Sequence, residues 1–110
     1  MHLSLLRSAV VIGSCVGLSL PGSAQDAPGD VSSGRRIAES WCAACHQIGA
    51  GEPEPKSGAP SFVSIARMPS TTTLALNVFL RSTHKVMPDF QLTREEADDV
   101  VAYIISLKKR

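Results

Sequence analysis

Cys42 and Cys45 stand three residues apart, and His46 follows the second of them directly, in the run Cys42-Ala43-Ala44-Cys45-His46. Two thiols at that spacing can each add to one vinyl group of a porphyrin and form two thioether bonds. The histidine after the second cysteine is then held under the iron. Ala43 and Ala44 are small, so the backbone between the thiols can lie close to the porphyrin edge. Covalent attachment keeps a haem in place in an open compartment and adds cross-links to a small domain.

Three other chemistries compete for these residues. A structural zinc site needs about four nitrogen or sulfur ligands. Beyond the N-terminal leader the chain offers Cys42, Cys45, His46 and His84, and adjacent Cys45 and His46 fit poorly into one tetrahedron. A thioredoxin-like redox pair places C-x-x-C at the start of a helix after a strand, whereas here a helical pattern precedes the motif. A plain disulfide leaves His46 unexplained. Haem attachment uses all three residues.

An iron held by His46 has a second axial position, for which Met68, Met87 and His84 are the candidates. Both methionines precede a proline, so the dipeptide does not choose between them. Position does. Met68 lies 22 residues past His46, at the end of an apolar helical stretch, and reads as core. Met87 lies 41 residues past His46 in a loop between two helices, which can bring a side chain to the far face of a porphyrin. Pro88 stiffens that loop and stops it from continuing as helix, and Phe90 can pack on the macrocycle. His84 is the rival, giving a bis-histidine iron; its other role is that of a half-exposed loop side chain. Phe62, Val78 and Phe90 are the apolar candidates for burying the porphyrin. Arg67, Arg81 and Lys85 are either neighbours of its propionates or solvated surface charge.

The bulk composition agrees with a cofactor-supported domain. The chain has 110 residues, room for one small domain. Aromatic residues make up 5%, so a core of side chains alone would be thin, and a domain this short usually needs a metal, a disulfide or a partner. Three cysteines are too few for a disulfide-built fold. With 11 basic and 10 acidic side chains, the chain lacks the basic surplus that nucleic-acid binding would show.

The N-terminus carries an address. Met1 to Arg7 is a short segment with one positive charge from Arg7, and Ser8 to Leu20 is uncharged and mostly apolar. Pro21 and the small residues Gly22, Ser23 and Ala24 follow, so residues 1–24 read as a secretory signal peptide cleaved after Ala24. The apolar run is shorter than the roughly 20 residues that span a bilayer. Cys15 would leave with the leader; a lipoprotein acylated at Cys15 is the competing reading. The expected location is the periplasm. Residues 25–33 form a flexible lead, and residues 34–110 the domain.

Within that domain the pattern is helical throughout. Ser32 or Ser33 can cap a first helix over Gly34 to Ala43, with Ile37, Ala38 and Trp41 on one face. Gln47 to Pro60 is rich in glycine and proline and reads as loop. A short helix over Ser61 to Arg67 ends before Pro69, and a third spans Thr73 to Thr83 with Leu74, Val78 and Arg81 on one side. After the loop His84 to Leu92, Thr93 and Glu96 make a capping box for the last helix. Val100, Tyr103, Ile104 and Leu107 form its apolar stripe, with Lys108, Lys109 and Arg110 at its C-terminal end.

Taken together, these features resemble a small bacterial class I (monohaem) c-type cytochrome. The resemblance runs from about Gly34 to Lys108: Gly34-x-x-Ile37-Ala38, the Cys42–His46 motif, Gly58-Ala59-Pro60, Met87-Pro88-Asp89-Phe90 and the Tyr103 helix, in that order. It implies an all-α fold of three to four helices wrapped around one covalent haem c, with the N- and C-terminal helices crossing where Gly34 admits the aromatic Tyr103. It implies that Pro60 lines the histidine side of the haem and that Met87 supplies the axial sulfur. The chain lacks the long segment between histidine and methionine of mitochondrial-type members, so their lysine-ring docking is not carried over.

The function implied is one-electron transfer rather than enzymatic turnover, performed by a soluble carrier between redox partner proteins such as a dehydrogenase, an oxidase or a reductase. A cytochrome subunit dedicated to one periplasmic dehydrogenase is the alternative; a free carrier would be monomeric. A haem gas sensor or haem enzyme would need a labile sixth ligand and polar distal groups, and Met87 argues against both.

Overall fold

The computed structural model describes residues 28–109, so the leader, Cys15 and the cleavage site lie outside the described residues. Four α-helices follow in order: α1 (Val31–Ile37), α2 (Phe62–Arg67), α3 (Thr73–Leu80) and α4 (Arg94–Ser106). A π-helical turn, Ala38–Cys42, extends α1, and a 3-10 turn, Leu107–Lys109, ends α4. The fold among the described residues is all-α, as the sequence pattern implies, and α1 packs on α4 as its main helix–helix contact.

The termini of these helices follow their capping chemistry. Asp30, not Ser32 or Ser33, caps α1: its carboxylate accepts from the Ser33 N–H and the Ser32 hydroxyl, both at 2.6 Å. Those hydrogen bonds, from Ser32 first and then Ser33, hold the Asp30 carboxyl down at about 2. The Asp30 N–H in turn donates to the Asp99 carboxylate at 2.7 Å, tying the start of α1 to α4. At the start of α4 the capping box is complete, with Glu96 N–H donating to the Thr93 hydroxyl at 3.2 Å and Thr93 N–H to the Glu96 carboxylate at 2.8 Å.

The first helix differs from its sequence pattern in a way that matters downstream. The helix begins at Val31 and changes to π geometry at Ala38, with the Ala43 N–H donating to the Ala38 carbonyl at 3.0 Å. The wider turn rotates the residues after Ala38 out of α-helical phase. Ala38 is fully buried, but Trp41, which α-helical spacing puts on the same face, is 41% exposed. The third helix is also shorter than its pattern: Arg81 and Ser82 donate to the carbonyls three residues back, and the helix ends at Leu80. Its buried residue is Leu76; Leu74 and Val78, which share one side of the helix, are 74% and 58% exposed. Nearly every position of this helix is apolar, so periodicity could not identify its inner face.

Val100, Val101, Tyr103, Ile104 and Leu107 of α4 and its extension form the centre of the core, with Ala38, Ile48, Phe62 and Ala66 packed on them. The buried Tyr103 hydroxyl donates to the Ile48 carbonyl at 2.6 Å, anchoring the Gly/Pro-rich loop to α4. Gly34 sits where α1 meets α4: a methyl there would overlap the main-chain carbonyl of Asp99 and come within 3.0 Å of the Tyr103 Cβ. Because backbone cannot swing aside as a side-chain tip can, Gly34→Ala should destabilise the protein by about 1–3 kcal/mol. A guanidinium titration of the haem-loaded protein reads this directly; an unchanged midpoint would show that the helices need no such close approach.

Candidate functional site

The Cys42–His46 segment leaves the π-helical turn as a tight bend. The N–H groups of Cys45 and His46 both donate to the Cys42 carbonyl, at 3.1 and 2.9 Å. The Ser57 hydroxyl donates to the Cys45 carbonyl, drawing the following loop onto the bend. Cys42 is buried, Cys45 is exposed, and neither is in a disulfide. Burial, with the Cys45 thiol beside it, pushes the Cys42 thiol up to about 11. Among the described residues no group of three or more His, Cys, Asp or Glu side chains converges as a metal site.

His46 is oriented for ligation. Its Nδ1 lies 2.7 Å from the Pro60 carbonyl oxygen, which can only accept, so Nδ1 carries the hydrogen. Nε2 then keeps its lone pair for a metal, the arrangement in which an outer hydrogen bond fixes a ligand's tautomer and raises its basicity. The Phe62 ring lies 5.3 Å from the imidazole, centroid to centroid, and itself contacts Tyr103 at 6.3 Å. Phe62 is placed by its N–H, which donates to the Gln47 carbonyl at 2.9 Å.

These groups open onto one predominantly apolar cavity of about 530 Å3, within the range of a cofactor pocket. Cys42, Cys45, His46, Pro60, Phe62, Met87 and Phe90 all line it. Two further expectations are corrected. Met68 is not core: it is 44% exposed and lines the cavity, because Pro69 holds it in extended backbone at the end of α2. Val78 does not line the cavity, and Leu76, Phe79 and Leu80 form the wall from α3 instead.

His84 is not among the lining residues; its ring stacks on Phe79 with centroids 3.8 Å apart. Arg67, Arg81 and Lys85 also lie outside the lining, and the Arg81 guanidinium is turned to Asn77 at 3.2 Å and Asp98 at 3.9 Å. Sequence reasoning missed Trp41, Ile65, Thr71 and Val86 as lining residues. For Ile65 and Met68 the three-residue spacing on α2 was an available signal; for Trp41 the π-helical turn removed it.

The cavity therefore fits a haem by its donor set as well as its volume: two thiols, an imidazole with Nε2 available, the thioethers of Met68 and Met87, and walls of aliphatic and aromatic side chains. Residues 29–104 match the family model described as cytochrome C oxidase, cbb3-type, subunit III. Across 109 residues, covering 98% of this chain and 99% of the relative, the sequence is 38% identical to cytochrome c-552 of Bradyrhizobium diazoefficiens. No solved structure gives a significant match. No described helix is long and apolar enough to cross a membrane.

Proposed function

The chain belongs to the small class I c-type cytochromes, electron-transfer proteins with covalent haem c, and on that premise we propose that it is a soluble periplasmic one-electron carrier in which His46 and Met87 would ligate the haem iron. The observation that supports this reading is an imidazole of fixed tautomer opening onto a cavity that Met87 lines from the loop between α3 and α4. Bound there, the haem supplies an iron that cycles between ferric and ferrous states.

The protein's own residues do the rest. Cys42 and Cys45 would hold the porphyrin by thioether bonds. Pro60 fixes the His46 ring through Nδ1. Phe62 and Leu76, buried behind the cavity, keep water from that side and disfavour the extra charge of the ferric state. Met68 also presents a thioether to the cavity, but it is fixed at a helix end, whereas Met87 lies in a loop between α3 and α4.

Residues 1–24 support export to the periplasm. The partner proteins are other redox proteins that dock briefly, which small interfaces allow. The family model's description as an oxidase subunit favours a second reading, a stable place in one redox complex. Expression with the native leader followed by size-exclusion chromatography of the periplasmic extract separates the two. A free carrier elutes as a single haem-loaded chain; co-elution with a larger redox complex at stoichiometric ratio would establish the subunit.

A further inference from the structure

Three residues before Met87, His84 stacks on Phe79 of α3; three residues after it, Phe90 meets Trp41, with ring centroids 5.8 Å apart and planes tilted by 38°. The two contacts differ in reach. The first joins neighbours in sequence, while the second joins the loop to the residue directly before Cys42. The separation and tilt of Trp41 and Phe90 lie in the range where aromatic pairs attract beyond simple burial.

Two features of the chain set this contact up. The π-helical turn brings Trp41 out of the buried phase of α1 and leaves it lining the cavity at 41% exposure. Beyond Phe90, Gln91 takes a left-handed conformation with φ of 51°, and its N–H donates to the Asp89 carboxylate at 3.0 Å. A non-glycine residue in that conformation is held by its surroundings; here it turns the chain from Phe90 into α4. Between these points residues 81–92 form no helix or strand, and Val86 is 94% exposed.

We propose that Trp41 is a positioning residue for the sixth ligand: its contact with Phe90 clasps the Met87 loop to the segment that carries the haem-binding cysteines. The proposal rests on Met87 being the ligand. The clasp biases the loop toward the closed arrangement in which the Met87 sulfur is held at the cavity. An aromatic pair of this kind corresponds to about a two- to twelvefold shift in such an equilibrium.

The test is imidazole binding to the haem-loaded ferric protein, followed by its spectrum, because imidazole competes with a methionine sulfur. Trp41→Ala and Phe90→Ala should each tighten imidazole binding by about two- to twelvefold, and the double variant by no more than either alone. Trp41→Phe should return the affinity to within about twofold of the parent. Phe90→Leu, which keeps bulk at the loop, provides a second measure if Phe90→Ala loads haem poorly, and should fall between the two.

Unchanged imidazole affinity in Trp41→Ala, even with a lower unfolding temperature, would overturn the clasp and leave Trp41 a packing residue. Additive effects in the double variant would overturn it as well. Met87→Ala serves as the control. If it left imidazole affinity unchanged, the Met87 assignment would fall, and the clasp with it.

Discussion

Met87→Ala is expected to lower the reduction potential by on the order of tenths of a volt and to let the ferrous protein bind carbon monoxide. A thioether sulfur favours ferrous over ferric iron, so under the proposed ligation its loss lowers the potential. The site keeps its other determinants, since His46 remains hydrogen-bonded to Pro60 and the walls from Phe62 and Leu76 are untouched. Water or an added ligand would take the vacant position. Met68→Ala is the matched control, because Met68 lines the same cavity from the end of α2. It should leave both the potential and the resistance to carbon monoxide near those of the parent protein. The reverse pattern would transfer the ligand role to Met68. Carbon monoxide binding by the parent ferrous protein would instead point to a labile sixth site and a sensing role.

Removing both thiols should have a larger effect on the fold than on any spectrum. Cys42→Ala with Cys45→Ala leaves nothing to hold the cofactor covalently, and a haem-free chain would surround a hollow of about 530 Å3. Its apolar walls, Phe62, Leu76 and Ile104 among them, would then face water instead of porphyrin, at about 1.5–3 kcal/mol for each large side chain left exposed. The whole stability of a small domain is only about 5–15 kcal/mol. The core outside the cavity is too small to offset the loss: it rests on α4 and a few small residues such as Ala38 and Ala66. The double variant is therefore expected to be unfolded, with little helical circular dichroism and rapid proteolysis after export. A cooperative unfolding transition in the haem-free variant would show that the polypeptide folds without its cofactor.

Much of this fold is legible in the sequence because local signals agree with one another. The last helix is announced by Thr93 and Glu96, which form the capping box, and by Val100, Tyr103, Ile104 and Leu107, which are all buried. Gly34 and Tyr103 meet as the family resemblance implies. The misread positions share a physical cause: phase information was missing or altered. A helix apolar on nearly every side hides which face of α3 lines the cavity, so the sequence points to Val78 where Leu76 and Phe79 form the wall. A π-helical turn moved Trp41 out of the phase that an α-helix would give it. Pro69 turned Met68 off its helix end and into the cavity wall. The Pro60 carbonyl that orients His46 is a backbone group, visible in sequence only through the family resemblance.

The account's central claim is one haem bound covalently through Cys42 and Cys45. The most direct test is the intact mass of the protein expressed with its leader and a haem-maturation system, together with its alkaline pyridine haemochrome spectrum. The predicted result is the mass of the chain from Gln25 to Arg110 plus one haem, with the band position of a haem bearing two thioether links and no titratable thiol. A chain of unmodified mass with two reactive thiols, from cells that load haem onto another covalent cytochrome, would contradict it.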